Sequence, residues 1–163
     1  MKTFIIAALT ADGFIAKGPD HKADWTSRAD KKFFQQKTKE AGVVIMGSTT
    51  YETIGMPLKE RRNIVYTRHK KFDGVETTSE EPKALFARLE KEGVKQVAIC
   101  GGASIYSLFM SQGLVDALYL TVEPIIFGAG VSLFDKGLET KLELIDAVKL
   151  EGGAVVLEYN VIR

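Results

Sequence analysis

Apolar and polar residues fall along this chain in blocks whose period changes. Thr3 to Leu9 is nearly continuous in apolar residues, as a central strand covered on both faces should be. Thr10 to Ala16 leads into Lys17-Gly-Pro-Asp-His-Lys-Ala-Asp24, which has the composition of a loop. Ser27 is a candidate N-cap for a helix from about Arg28, with Phe33, Phe34 and Thr38 on its inner face and Gly42 at its end. Val43 to Met46 predicts a second strand, stopped by Gly47 and followed by the hydroxyls of Ser48, Thr49 and Thr50. A short helix through Tyr51 and Ile54 ends at Gly55, and Pro57 marks the break. Arg62 to Thr67 reads as a third strand running into the basic turn Arg68-His69-Lys70-Lys71, and Val75 to Thr78 as a short fourth. Glu81 to Glu92 is an amphipathic helix with Leu85, Phe86 and Leu89 inward, closed by Gly93. Val97 to Cys100 is a buried strand that breaks at Gly101-Gly102 and restarts as a helix over 103–112. Ala117 to Glu123 is another strand and 124–133 an irregular stretch. The segments 141–150 and 154–162 form an antiparallel hairpin joined at Gly152-Gly153.

Strand and helix alternate up to about residue 123. The expected fold is therefore α/β: one domain over 1–163, a mostly parallel twisted sheet flanked by helices, with an antiparallel C-terminal hairpin. A length of 163 residues, with 45% hydrophobic and 26% charged, suits one ordinary core. The net charge of +1 offers no basic field for nucleic acid. Cys100 is the only cysteine, which excludes an intrachain disulfide and any multi-cysteine metal site. The apolar start is too short to span a membrane and lacks a small-residue cleavage site, so it reads as a buried strand of a cytoplasmic protein.

Sheets of this kind bind ligands beyond the carboxyl ends of their strands. That rim brings together Gly47-Ser48, Thr67-Arg68-His69 and Gly101-Gly102. The glycine pair, with the N–H groups of Ala103, Ser104 and Ile105, can seat a pyrophosphate at a helix N-terminus. Ser48, Thr49 and Thr50 can hold another portion, and Arg68, His69 and Lys70 a peripheral phosphate. The plainer alternatives are that Ser48 is only a cap and that the basic turn is a solvated surface.

Asp30 falls in the first turn of its helix, where a carboxylate complements the dipole. Its neighbours Trp25, Phe33 and Phe34 suggest an apolar surround, in which it would need a bonded partner. A ligand edge with two adjacent N–H donors would satisfy it bidentately. Arg61 or Arg62 can bind a ligand carboxylate, or both can be surface charges. Thr121, mid-strand among apolar residues, has a hydroxyl that must bond something buried. No Ser–His–acid arrangement and no metal-ligand spacing is legible.

The chain resembles dihydrofolate reductase. The likeness is carried in order by Ile5-Ile-Ala-Ala-Leu-Thr-Ala-Asp-Gly-Phe-Ile-Ala16, by Trp25-x4-Asp30-x2-Phe33-Phe34 and by Val44-Ile-Met-Gly-Ser-Thr-Thr-Tyr-Glu-Thr-Ile-Gly-Met-Pro-Leu58. Glu60-Arg-Arg-Asn-Ile-Val-Tyr-Thr-Arg68, Cys100-Gly-Gly-Ala-Ser-Ile-Tyr106 and Tyr119-Leu-Thr121 continue it. The tail Val122 to Phe134 is closer to a branch shared with the pyrimidine reductases of riboflavin synthesis.

The resemblance implies hydride transfer from NADPH to C6 of dihydrofolate, with a proton delivered to N5. By it, Asp30 is the acid that binds the pterin edge and Thr121 the threonine bonded to that acid. Ile6, Phe34, Ile54 and Leu58 form the folate site, and Arg61 holds the glutamate carboxylate. Ala8, Ile15 and Ala16 surround the nicotinamide. Gly101 and Gly102 form a cis-linked pair beside the pyrophosphate. Gly47, Ser48, Thr49, Thr50, Thr67, Arg68, His69, Ala103, Ser104 and Ile105 supply the remaining cofactor contacts. Ser48 stands where many family members carry an arginine for the 2′-phosphate, and the loop from Ala16 to Asp24 is unlike the usual mobile lid.

The rival expectation is a reductase of a ribosylaminopyrimidine phosphate, which needs groups for a phosphate near Trp25 and the following helix. That helix offers Lys31, Lys32, Lys37 and Lys39. A catalytically silent nucleotide-binding protein is the third. Relatives with this tail also suggest a homodimer through Ile125-Ile126-Phe127 and Val131 to Phe134.

Overall fold

The computed structural model describes all 163 residues. In chain order the elements are β1 (Lys2–Thr10), β2 (Phe14–Ala16), α1 (Arg28–Ala41), β3 (Val43–Gly47), α2 (Ser48–Ile54), β4 (Arg62–Tyr66) and β5 (Glu76–Thr78). There follow α3 (Pro82–Lys91), β6 (Gln96–Ile99), α4 (Ala103–Ser111), β7 (Ala117–Glu123), β8 (Val131–Ser132), β9 (Leu142–Lys149) and β10 (Val155–Val161). Eight strands make one sheet in the order β5-β4-β3-β6-β1-β7-β10-β9. Neighbours from β5 to β7 run parallel, and β10 pairs antiparallel with both β7 and β9. The expected hairpin and parallel body are both present.

The near-continuous apolar strands follow from burial on both faces. Along β1, Ile5 and Ala7 point into one core with Leu85, Phe86 and Leu89 of α3 and Phe109 of α4. Phe4 and Ile6 point into the other with Ala41 of α1 and Tyr51 of α2. The same two-residue alternation divides Val43 and Ile45 from Val44 and Met46 on β3. Side chains such as Leu85, Leu89 and Phe109 are fully buried, and each contributes about 1.5–3 kcal/mol over exposure.

Local chemistry sets the start of α1 at the expected place. Ser27 Oγ accepts from Asp30 N at 3.1 Å, and Gly42 closes the helix in the left-handed region at φ 76°. A tertiary contact reinforces that cap. The buried Glu123 carboxyl, at the end of β7, accepts from Ser27 N at 2.8 Å and from Ser27 Oγ at 2.7 Å.

The structure differs from expectation where local composition looks like loop. Phe14–Ala16 and Val131–Ser132, within stretches expected to be irregular, pair as a separate two-stranded ribbon. Asp12 ties its flanks together, accepting from Phe127 N at 3.1 Å and Gly128 N at 2.7 Å. The Thr10 hydroxyl, and after it these two bonds, hold the Asp12 carboxyl below the usual carboxylate range. Such pairing joins segments more than a hundred residues apart, so no local period announces it.

Gly130 marks the tightest point of that ribbon. Its φ is +158°, and a Cβ there would lie 2.3 Å from the Ala16 carbonyl oxygen. Gly130→Ala should therefore cost about 1–3 kcal/mol, seen as a lower urea midpoint with an unchanged slope. An unchanged midpoint would show that the ribbon yields without cost.

Candidate functional site

The glycine stops of β3 and β6 lie side by side. Gly47 N donates to Gly101 O at 2.8 Å and Cys100 N to Ile45 O at 2.8 Å, which brings both strand ends to one rim. Beyond it opens a cleft of about 710 Å³ that runs from the start of α1 to the start of α4.

At one end, Gly101 and Gly102 are joined by a cis peptide, and Gly101 has φ +121°. Side-chain atoms crowd this turn: Thr50 Oγ1 would lie 3.4 Å from a Cβ on Gly102, and Ile105 Cγ1 3.1 Å from one on Gly47. No side chain caps α4 at Gly102, so the first N–H groups of that helix have no partner within it. Ala103, Ser104 and Ile105 line the cleft there, with Gly47, Ser48, Thr49 and Thr50 opposite. Ala8, Ile15 and Ala16 also line the cleft.

At the other end are Ile6, Phe34, Ile54 and Leu58, with Asp30 among them. Asp30 is 8% exposed, and Thr121, on β7 behind it, is 1% exposed. Burial is the main force on this carboxyl and raises its pKa. Hydrogen bonds from the Thr121 and Thr26 hydroxyls oppose the rise, while the charge of Glu123 adds to it. Thr121 and Asp30 thus lie near one another at this end of the cleft.

Five of the residues expected at the site do not line the cleft: Thr121, which lies behind Asp30, and Arg61, Thr67, Arg68 and His69. Arg61 is engaged instead, donating from Nη1 to Thr38 Oγ1 at 2.8 Å, from Nη2 to Gln35 Oε1 at 2.9 Å and from Nε to the Lys59 carbonyl at 2.7 Å. Thr67, Arg68 and His69 sit just past the end of β4, where Thr67 Oγ1 accepts from Lys70 N at 3.1 Å. Arg62 is taken up by Glu76 and Glu92 in an ion-pair cluster away from the cleft.

Of the other wall residues, Lys31 was expected only as one of four lysines for a phosphate and Trp25 only in the apolar surround of Asp30, while Gln35, Tyr66, Tyr106 and Asp135 lay outside the expectation. Lys31 and Gln35 stand four apart on α1, beside the pair Asp30 and Phe34, and the helical period pairs them with each other rather than with Asp30. Tyr66, at the end of β4, and Trp25 also line the cleft, and each has a buried polar atom with no partner in the protein. Tyr106 reaches back to donate to the Ile6 carbonyl at 2.8 Å. Asp135 arrives through the tail, and nothing local in the sequence marks it.

The arrangement selects among chemistries. Burial pushes the Cys100 thiol up to about 12, so it stays protonated and supplies no nucleophile. No cluster of His, Cys, Asp and Glu could hold a metal ion. The site therefore offers one buried carboxyl, apolar walls, and a glycine-lined helix N-terminus.

These features accord with known proteins. The family model described as dihydrofolate reductase matches residues 2–131. The dihydrofolate reductase type 3 of Salmonella typhimurium is 35% identical over 119 residues, 72% of this chain and 68% of that protein. The uncharacterized protein YwjB of Bacillus subtilis is 31% identical over 170 residues, 97% of each chain. RibD of Acinetobacter baumannii shares the fold with a TM-score of 0.85 and 19% identity, over 99% of this chain and 58% of that one. Dihydrofolate reductase from Enterococcus faecalis, complexed with NADP(H) and RAB-propyl, shares it with a TM-score of 0.76 and 22% identity, over 99% and 97%. The chain belongs to the dihydrofolate reductase family, whose members are NADPH-dependent oxidoreductases.

A raised carboxyl pKa has a consequence for stability. Burial favours the protonated form of Asp30, so the contribution of this one group to native stability is fully present below the ordinary aspartate value and is lost as pH rises through the folded-state value. Asp30→Asn removes that titration. Its melting temperature relative to the native protein should therefore climb as pH rises above the ordinary aspartate value, by scanning calorimetry. A difference that stays flat with pH would contradict the assignment.

Proposed function

We propose that this protein reduces 7,8-dihydrofolate to tetrahydrofolate, with NADPH as reductant. The observation that carries this reading is Asp30, buried at the apolar end of a cleft whose other end is a glycine-lined helix N-terminus.

The residues present fit a dinucleotide. The free N–H groups of Ala103, Ser104 and Ile105 and the glycines around them suit a pyrophosphate, which a Cβ at Gly101 or Gly102 would crowd. Ser48, Thr49 and Thr50 give hydroxyls for the adjoining portion, and Ala8, Ile15 and Ala16 a flat wall for the nicotinamide. Thr67, Arg68 and His69 serve the outer phosphate. Ser48 stands on the wall in place of a cation, so any cation for a 2′-phosphate must come from that turn, which lies outside the cleft lining. When bound, NADPH supplies the hydride that adds to C6.

The protein's own residues bind and orient. Asp30 takes the 2-amino and N3 edge of the pterin, two parallel donors for two carboxyl oxygens. Thr121 fixes the carboxyl by hydrogen bonding to it. Ile6, Phe34, Ile54 and Leu58 exclude water around the ring and hold C6 toward the nicotinamide wall. Asp30 favours protonation at N5, the proton arriving through water.

A second reading, reduction of a ribosylaminopyrimidine phosphate, is favoured by Lys31, a cation on the substrate wall near Trp25. The two readings share the reductant and the role of Asp30, and differ in what the outer cleft holds.

Loss of NADPH absorbance on adding dihydrofolate tests the first reading. Asp30→Asn should cut turnover at neutral pH by on the order of 10²-fold or more. Turnover only with the pyrimidine would replace the first reading with the second, and unchanged kinetics in the variant would remove Asp30 from the chemistry.

We also propose a homodimer, in keeping with the exposed Ile125 and Ile126. Phe127 is engaged within the chain, edge-on to Trp25 at 5.0 Å between ring centroids. The exposed edge strand β9, with Leu144, Ile145 and Val148, adds apolar surface. Sedimentation equilibrium should return twice the 17.9 kDa chain mass, and a monomer at micromolar concentration would dispose of it.

A further inference from the structure

β7 brings a second carboxyl to the start of α1, and the reading of Asp30 as the substrate-binding acid does not use it. Glu123, the last residue of β7, is 4% exposed. Its Oε1 accepts from Ser27 N at 2.8 Å and from Ser27 Oγ at 2.7 Å, and Ser27 Oγ accepts in turn from Asp30 N at 3.1 Å. A line of hydrogen bonds thus runs from the sheet, through one serine, to the backbone of Asp30. Thr121, two residues before Glu123, shares its face of β7. One strand therefore presents a hydroxyl and a carboxyl to the same helix start. Glu123 itself does not line the cleft.

Capping does not by itself call for a charge at this position. An amide oxygen accepts from an N–H and an O–H as a carboxylate oxygen does. A carboxylate buried there is costly, and a neutral acceptor would avoid that cost. What the carboxylate adds is its charge, which faces Asp30 and opposes the loss of a proton from it. Two other titratable groups stand near Asp30. Lys31, on α1, acts in the opposite sense and more weakly than Glu123. Tyr106, on α4, is a buried phenol that donates to the Ile6 carbonyl at 2.8 Å. Glu123 is thus the strongest charge acting on the acid of the cleft.

We propose that Glu123 is a positioning residue for the reaction, with two separable actions. Through Ser27 its oxygen places the first turn of α1, and its negative charge governs when Asp30 gives up its proton. The bearing on turnover rests on the reductase reading, and the coupling of the two carboxyls does not. A ligand with paired N–H donors bonds best to the ionised form of Asp30. The pH range over which such a ligand is held is then set in part by a residue that does not touch it. With Glu123 ionised, Asp30 keeps its proton to higher pH, and removal of that charge lets it ionise at lower pH.

Substitution in the whole chain separates the two actions. Glu123→Gln keeps an acceptor oxygen and removes the charge, and Glu123→Leu removes both. Carbon-13 NMR of labelled aspartate reads Asp30 without any ligand, with Asp30→Asn assigning the signal. Glu123→Gln should lower the Asp30 midpoint by roughly 0.5–1 pH unit, within the spread of about one unit common among aspartates of folded proteins. Amide exchange reads the cap. Protection of the Asp30 N–H should stay within about threefold of native in Glu123→Gln and fall roughly tenfold in Glu123→Leu, the scale of a lost helix cap.

Turnover gives a third readout. With NADPH and dihydrofolate, the limb of the kcat/KM profile that Asp30 sets should move to lower pH in Glu123→Gln by the same amount. An Asp30 midpoint unmoved by Glu123→Gln overturns the proposal, and so does protection that survives in Glu123→Leu. A lowered midpoint in a protein that reduces neither dihydrofolate nor the pyrimidine would support the coupling and refute the reductase reading.

Discussion

Everything at the substrate end depends on keeping one carboxyl buried at the start of a helix. A carboxylate removed from water must find compensating partners. Here the compensation is built in layers. Ser27 caps α1 through Asp30 N, the buried Glu123 holds Ser27 by two bonds, and the hydroxyls of Thr121 and Thr26 lie near the Asp30 carboxyl and offset part of its burial. Glu123 and Thr121 both belong to β7, which pairs with β1 from Phe4 to Thr10. The position of Asp30 is thereby referred to the centre of the sheet, and with it to Ile6 and Ala8 on the cleft wall.

The two ends of the cleft use different physics. The glycine end offers backbone: a helix without a side-chain cap, and a turn that side-chain atoms already crowd. The Asp30 end offers a side chain whose charge is costly, so that a ligand with matching donors gains from relieving it. A ligand spanning both would be oriented by the difference, with its anionic portion drawn to the helix N-terminus and its donor edge to the carboxyl.

How much of this was legible in the sequence depended on range. Strand limits, the Ser27 cap and the Gly42 stop are local, and the α1 boundaries agree with the structure. The glycine turn was legible as a break because an apolar run stops at paired glycines and a helical period resumes after them. Glu123 was not, since its partner lies 96 residues away. The ribbon of β2 and β8 was hidden for the same reason, and because each strand is only two or three residues long. Arg61 shows another limit: its charge was plain, but only packing reveals that its donors are spent on Gln35, Thr38 and Lys59. Lys31 was one of four equivalent lysines until the helix was docked.

The account rests on a carboxyl at residue 30 that is hard to ionise alone and easy to ionise against a donor edge. Carbon-13 NMR of labelled aspartate, with Asp30→Asn to assign the signal, measures this directly. In the free protein the Asp30 carboxyl should titrate above the usual carboxylate range. Binding a diaminopyrimidine-type ring, with two adjacent N–H donors, should lower that value and leave the other aspartates unmoved. An ordinary titration in the free protein that does not shift on binding would contradict the account.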